Sequence, residues 1–308
     1  MVKRILSIDG GGIKGVFPAS FLAALEETNN IRVSDYFDLI VGTSTGGIVA
    51  LGLGLSFSAS DILKFYETHG PDIFKGNQFL KALRHLGLSK YTQAPLKYAL
   101  TKTFGDSILG DCKSRLVIPS FNLQTGEVHL YKTSHHPRFA TDYKDSVVDV
   151  ALATSAAPTY FPVHTTSTGI PLTDGGVWAN NPIGIAAVEG IGILEWPREQ
   201  IRILSISCTA EPFEATKRGG KFKWASQISD VFLASQSSAS MGMAQHLVGH
   251  DNVVRINPIV PKKKFGLDSV GEFSLLKGLG ITEARKANQK IKDFFLKEKV
   301  EPFTPYHS

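Results

Sequence analysis

The chain has 308 residues, of which 43% are hydrophobic, so it can bury a large core, and a disordered polypeptide is excluded. Its formal net charge is +5, and this positive excess comes from one segment of the chain. Because the rest of the chain carries no positive excess, we expect no nucleic-acid polymer as a partner. The longest apolar stretch, residues 46–57, is shorter than the about 20 residues of a membrane-spanning helix.

The two cysteines, Cys112 and Cys208, lie far apart in the sequence, and Cys208 ends an apolar run. A buried thiol is therefore the expectation for Cys208, rather than a disulfide or a metal ligand. The apolar run after Lys3 and Arg4 is too short for a signal peptide. Together these features favour a cytoplasmic protein.

Strand-like apolar runs alternate with helix-like runs along the chain. Three predicted strands are each followed by a helix: 2–8 by 17–27, 38–42 by 45–54, and 201–207 by 227–248. This alternation predicts an α/β fold with a mainly parallel central sheet and crossover helices. Residues 114–132 predict a hairpin that turns at Thr125 and Gly126, and 282–297 predict a last amphipathic helix that packs on the sheet. Because no repeat or linker divides the chain, we expect a single domain over 1–308.

Positive charge is concentrated in residues 73–105, which contain six basic residues and no acidic one. Bulky apolar residues are interleaved with these charges, a combination that suits an anionic lipid surface at the inner face of the membrane. The membrane-contacting residues predicted from this pattern are Phe79, Lys81, Leu83, Arg84, Leu86 and Lys90. The alternative is a helix that packs its apolar side into the core and leaves a solvated basic face.

The first glycine-rich loop, residues 9–15, follows a predicted strand and precedes a helix. Consecutive glycines there expose several backbone N–H groups that can bind a ligand phosphate or a transient oxyanion. The loop has the G-x-G-x-x-G spacing of a dinucleotide-binding loop, which also needs an acidic residue at the end of the second strand. The nearest acids, Asp35 and Asp38, precede that position.

The second loop, residues 42–46, has the pattern G-x-S-x-G between a predicted strand and a helix, which is the context of a nucleophile elbow. Gly42 and Gly46 relieve crowding around a sharp turn that exposes Ser44. The alternative is a helix entrance at which Ser44 is only the N-cap. A serine nucleophile needs a base, and the nine histidines do not identify one.

The third loop offers a different base. Asp174 ends a short apolar run and is followed by Gly175 and Gly176, again where a strand would end. Acting directly on Ser44, it would form a dyad. A carboxylate with a pKa of about 3.9 is a weak base, so the site must desolvate it or align it closely. Taken alone, Asp174 is more typical of a turn.

These three motifs in this order, with TSAAPTYFP at 154–162, make the chain similar to the patatin-like phospholipase family. The resemblance implies a lipid acyl hydrolase of the phospholipase A type, with a three-layer α/β/α fold and no metal, cofactor or histidine. It implies that Ser44 is the nucleophile and Asp174 the general base. The implied oxyanion hole consists of the N–H groups of Gly10, Gly11, Gly12 and Thr45. The residues that support the motifs are Asp9, Lys14, Gly15, Gly42, Gly46, Gly175 and Gly176.

The chain also resembles the phospholipase effectors of cyclic-oligonucleotide antiphage signalling. This resemblance implies a cyclic nucleotide activator whose phosphates bind cations outside the dyad, and it is compatible with an oligomer. The candidate cations are Lys217, Arg218, Lys221, Lys223, Lys262, Lys263 and Lys264. Two other functions stay open from the sequence: a dinucleotide-binding protein that uses the first loop, and a catalytically silent module that binds lipids or drives assembly.

Overall fold

A mixed, mostly parallel sheet forms the centre of the computed structural model, which describes residues 2–75, 88–213, 220, 224, 227–262 and 264–308. The strands are β1 (Lys3–Ile8), β2 (Leu39–Gly42), β3 (Arg115–Asn122), β4 (Glu127–Lys132), β5 (His164–Thr165), β6 (Pro171–Asp174), β7 (Ile201–Ile206) and β8 (Val253–Ile256). They are ordered β5-β6-β3-β2-β1-β7-β8, with β4 paired to β3. Strands β1, β2, β3, β7 and β8 are parallel, as predicted.

Helices cover both faces of this sheet. They are α1 (Val16–Asn29), α2 (Thr45–Gly54), α3 (Ala59–Ile73), α4 (Ala94–Phe104), α5 (Val147–Thr154), α6 (Gly176–Ala179), α7 (Ile183–Val188), α8 (Ile228–Val248) and α9 (Phe273–Phe295). Helices α7 and α8 share one core with the sheet, while α1 to α5 and α9 share the other. The three-layer α/β/α prediction is therefore confirmed.

The two cores follow from the alternation of side chains along each strand. In β1, Ile5 belongs to the core under α7 and α8, whereas Leu6 and Ile8 belong to the core under α1 and α2. In β2, Leu39 belongs to the core under α7 and α8, and Ile40 belongs to the core under α1 and α2. Strands that are covered on both faces are apolar at most positions, which is why these runs could be recognised in the sequence.

Strand β3 explains how distant parts of the chain meet. The predicted hairpin is present, since β3 and β4 pair antiparallel and Ser120 lies opposite His129. On its other side, β3 pairs first with β2 and then, antiparallel, with β6, where Ser120 lies opposite Asp174. Strands β2 and β6 thus approach each other along the same side of β3, and their carboxyl ends face each other.

The last helix differs from its prediction at one end. It begins at Phe273 rather than at 282, and its main partner is α1 rather than the sheet. Gly278 and Gly280 have poor helix propensity, so the pattern underestimated its length. At Gly280 the absence of a side chain lets α9 approach the backbone of α1 at Phe17.

The basic segment is only partly described. Phe79, Lys81, Leu83, Arg84 and Leu86 lie outside the described residues, so the membrane surface predicted there stays a prediction. The described helix of this segment, α4, buries Leu96, Ala99, Leu100 and Phe104 and exposes its lysines and Tyr98. This matches the alternative of a core-packing helix with a solvated basic face. The Lys90 side chain is only 26% exposed, and its ammonium lies 2.5 Å from the Asp268 carboxylate. Among the described helices, none is long and apolar enough to cross a bilayer.

Candidate active site

Ser44 occupies a strained turn between β2 and α2. Its backbone angles are φ 56° and ψ −123°, in a region that favours glycine, and this places the side chain above the turn. The backbone N–H of Ser44 donates to Thr154 Oγ1 at 3.0 Å, which fixes the turn from α5. A Cβ on Gly46 would stand 2.6 Å from the Asp9 carbonyl oxygen, so only glycine lets the elbow lie this close to the first loop. The Ser44 hydroxyl makes no N-cap hydrogen bond, contrary to the alternative interpretation.

The hydroxyl of Ser44 instead donates to the carboxylate of Asp174. The Oγ–Oδ2 distance is 2.7 Å, and both residues are buried. The other carboxylate oxygen, Oδ1, accepts the N–H of Gly176 at 2.6 Å, so the carboxylate is held between α6 and the serine. The facing ends of β2 and β6 thus bring together two residues that are far apart in the sequence, in the geometry of a nucleophile and its base.

The surroundings of Asp174 make it a stronger base than an ordinary carboxylate. Burial raises its pKa from an ordinary 3.8 to about 7, although the hydrogen bonds from Gly176 and Ser44 oppose this rise. Both conditions that the sequence set for this base, desolvation and close alignment, are therefore met. A base with a pKa near neutrality can accept a proton efficiently at physiological pH.

The glycine loop after β1 requires one correction. The N–H of Gly10 donates to the carbonyl of Asn180 at 2.9 Å, so it is not free to bind a substrate oxygen. Neither Gly11 nor Gly12 donates its N–H to an acceptor in the described part of the chain. Thr45 is the first residue of α2, where a helical N–H has no partner within the helix. Gly11, Gly12 and Thr45 therefore remain as candidate oxyanion donors.

Two neighbours hold the glycine loop in place. Gly12 has φ +59°, and a Cβ there would collide with the carbonyl oxygen of Leu267, which requires glycine. The Leu267 carbonyl also accepts the N–H of Ile13 at 2.9 Å. On the other side, the thiol of Cys208 after β7 packs against Gly11. Cys208 is buried and free, as predicted.

Asp9 is paired away from the dyad. Its carboxylate accepts a bidentate contact from Arg255 on β8, with distances of 2.7 Å to Nη1 and 2.5 Å to Nη2. Arg255 also donates to the Ser205 hydroxyl on β7 at 2.6 Å. The pair ties the start of the glycine loop to two neighbouring strands. Arg255 was missed in the sequence because a lone arginine in a short strand carries no motif.

A cavity of about 510 Å³ opens above the dyad. Its floor contains Ser44 and Asp174, and Lys14 lies at its wall. The remaining wall is mainly apolar, and its large side chains include Ile48, Phe65, Ile73, Phe74, Tyr160, Phe161, Phe232 and Leu233. No histidine is among the described residues that line it. Such a lining suits a hydrocarbon chain better than a nucleotide.

The structure gathers most of the predicted site residues at this cavity. Those that line it are Asp9, Gly10, Gly11, Gly12, Lys14, Ser44, Thr45, Asp174 and Gly176, while Gly15, Gly42, Gly46 and Gly175 pack beneath it. Asn180 and Leu267 were missed, since both act through backbone carbonyls in irregular loops. Thr154 could have been suspected, because it opens the TSAAPTYFP motif. No group of three or more metal-ligating side chains occurs in the described ranges.

The chain resembles known proteins in sequence and in fold. A family model described as "Patatin-like phospholipase" matches residues 6–187. The chain is 33% identical over 297 residues to a "cGAMP-activated phospholipase" of Pseudomonas aeruginosa, covering 92% of this chain and 88% of that protein. It is 32% identical over 333 residues to one of Vibrio cholerae, covering 95% and 94%. The solved structure of VipD from Legionella pneumophila matches with a TM-score of 0.50 at 14% identity, over 94% of this chain and 67% of VipD, which supports the fold alone.

Proposed function

The chain belongs to the patatin-like phospholipase family, and on that premise we propose that it hydrolyses acyl esters of membrane phospholipids through a Ser44–Asp174 dyad. Lipid acyl hydrolysis is the activity of the family. The observation that carries the dyad is the 2.7 Å hydrogen bond between the Ser44 hydroxyl and the buried Asp174 carboxylate at the floor of an apolar cavity.

The reaction follows from the positions of these groups. Ser44 Oγ attacks the ester carbonyl carbon while its proton passes to Asp174, and the carbonyl oxygen becomes an oxyanion. The N–H groups of Gly11, Gly12 and Thr45 stabilise that oxyanion, and losing one such donor typically costs about 10²–10³ in rate. The tetrahedral intermediate collapses, and the lysophospholipid leaves as its alkoxide takes the proton from Asp174.

The second half of the reaction uses the same groups. Asp174, again ionised, accepts a proton from water, and the resulting hydroxide attacks the acyl-enzyme carbonyl. Collapse of the second tetrahedral intermediate breaks the bond to Ser44 Oγ, which takes back the proton, and the fatty acid leaves. No other group needs to move a proton, which is consistent with a cavity whose described lining contains no histidine.

The proposal is tested with vesicles of fluorescently labelled phospholipid. Ser44→Ala and Asp174→Asn are each expected to abolish hydrolysis while circular dichroism shows an intact fold. Hydrolysis by Ser44→Ala at the rate of the parent protein would falsify the dyad. If the folded parent hydrolysed no ester under any condition, the catalytically silent module would be the better description.

We also propose that a cyclic dinucleotide switches the enzyme on. The support is that relatives aligned over almost the whole chain are named cGAMP-activated phospholipases. Of the candidate cations, Lys217, Arg218, Lys221, Lys223 and Lys263 lie outside the described residues. Lys262 is exposed, and Lys264 lies 3.6 Å from Glu272. The role in antiphage defence implied by the resemblance stays a prediction.

Activation is measured by adding cGAMP to the vesicle assay and recording the melting temperature in parallel. Binding to the folded state should raise both the rate and the melting temperature, since a ligand that binds only the folded state stabilises it. Linear GpA serves as the control. A rate that is the same with and without cGAMP, together with an unchanged melting temperature, would contradict this regulation.

A further inference from the structure

The first half of α8 is more exposed than the rest of the helix. The second half packs on α7, where Ser240 donates to the Asn181 carbonyl at 2.7 Å, and Ala244 and Val248 are buried. The first half extends beyond this contact and forms one wall of the cavity. A hydrogen bond of 2.7 Å from the Gln236 amide to the Val177 carbonyl links it to α6, the short helix that follows Asp174.

Large apolar side chains on this half of α8 point to solvent. Ile228 and Phe232, one helical turn apart, are 37% and 57% exposed. Trp224, four residues before Ile228, is 47% exposed, and its carbonyl accepts the N–H of Gln227, which attaches it to the start of α8. Leaving several large apolar groups in water is unfavourable, and such a patch indicates a binding surface.

The faces of α8 differ in what they contact. The packed face runs through Ser240 and Ala244, and Leu233, two turns before Ser240 on that same face, lines the cavity together with Phe232. Ile228 and Phe232 form the exposed face, and Asp230, two residues from each, lies about half a turn away from it. The exposed face is therefore apolar, uncharged and continuous with the cavity through Phe232.

From this arrangement we propose that Trp224, Ile228 and Phe232, the docking surface, insert into the outer part of a phospholipid bilayer. The inference rests on the proposed function, because the partner is the substrate membrane. An ester carbonyl can reach Ser44 only if the acyl chain passes from the bilayer into the cavity, and an apolar rim lets it pass without contacting water. Tryptophan and phenylalanine are side chains that favour the interfacial region. This surface is distinct from the basic segment in which the sequence pattern predicted membrane contact.

The test uses Trp224→Ser/Ile228→Ser, because neither residue lines the cavity. Binding is measured by flotation with phosphatidylethanolamine–phosphatidylglycerol vesicles, with and without cGAMP, in a Ser44→Ala background that leaves the lipid intact. We expect at least about a tenfold loss of vesicle binding, since two apolar side chains no longer enter the bilayer. Without the Ser44→Ala change, hydrolysis of these vesicles should fall about as much, while hydrolysis of a soluble short-chain ester stays unchanged.

The matched control is Val188→Ser. Val188 is 55% exposed on α7, next to the segment that packs near the amino ends of β1 and β7. The substitution at Val188 is therefore expected to change neither vesicle binding nor hydrolysis. Parental flotation by the double variant would overturn the proposal. The proposal would also be overturned if the double variant changed the sedimentation coefficient but not the flotation, because the surface would then bind a second copy of the chain. If the parent hydrolysed no ester, the proposed function would fail, but flotation would still decide whether the surface binds a membrane.

Discussion

Burial of the Asp174 side chain has opposite effects on the reactivity of its carboxylate and on the stability of the fold. Burial raises the pKa of its carboxyl to about 7, which matches a base to neutral pH. The same burial makes the ionised form costly to the fold, because no cation among the described residues lies against it to compensate. Activity and stability should therefore respond to pH in opposite directions.

The rate should rise with pH through the pKa of Asp174. Only the ionised carboxylate accepts the Ser44 proton, so kcat/KM for a soluble ester is expected to increase about tenfold per pH unit below about 7 and to level off above it. The measurement is a pH–rate profile of the parent protein under activating conditions. A flat profile through this range would mean that another group is the base.

The stability of the parent protein should show the opposite trend, and Asp174→Asn should remove it. A carboxyl whose folded-state pKa lies above its unfolded value destabilises the fold as pH rises, from about the unfolded pKa up to the folded pKa. The difference between 3.8 and about 7 amounts to roughly 4 kcal/mol, as an upper estimate. Asp174→Asn should thus unfold at a higher temperature than the parent above neutral pH, and the difference should disappear toward pH 4. Equal melting temperatures at alkaline pH would show that the carboxylate is well solvated.

At the scale of elements, loops from several strands hold the glycine loop. Its start is fixed by Arg255 on β8, and its turn is fixed by Leu267, whose neighbour Asp268 contacts Lys90. The segment that precedes α4 is therefore connected through one turn to the residues that we propose as oxyanion donors. Such a loop is held rigid by contacts from outside its own sequence, which favours preorganised catalysis.

Removing Arg255 should destabilise the protein strongly. Arg255→Met leaves the buried Asp9 carboxylate without its partner, which typically costs about 3–5 kcal/mol. Urea denaturation measures this loss, and Asp9→Asn combined with Arg255→Met should recover part of it. The control is Lys286→Met, which removes an exposed ion pair to Glu283 and should change stability much less. An equally small effect of Arg255→Met would show that Asp9 is not desolvated.

At the scale of the whole molecule, the site lies where the order of strands reverses. The chain passes from β1 to β2 and β3 on one side and returns to β7 on the other, so the loops after β1, β2 and β7 meet at one edge. Parallel sheets place their ligands at such an edge. This is why the two motifs that contain Ser44 and the glycine loop could be placed at one edge once the strand-like runs before them were recognised.

Other parts of the site depended on contacts that leave no local pattern. Asp174 was recognised by its motif, but the pairing that aligns β6 with β2 through β3 was not. The N–H of Gly10, a predicted oxyanion donor, donates to the backbone carbonyl of Asn180. Because any residue has such a carbonyl, the sequence could not reveal this hydrogen bond. The exposed apolar face of α8 was also missed, because periodicity shows that a helix is present and does not show which of its faces stays uncovered.

The central claim is that Ser44 is the nucleophile and Asp174 its base. The most direct test is mass spectrometry of the protein after reaction with a fluorophosphonate, in which the nucleophile displaces fluoride and retains the phosphonyl group. The account predicts one adduct on the peptide that contains Ser44, no adduct in Ser44→Ala, and much slower labelling in Asp174→Asn. An adduct on another residue, or equal labelling of the parent protein and Ser44→Ala, would contradict it.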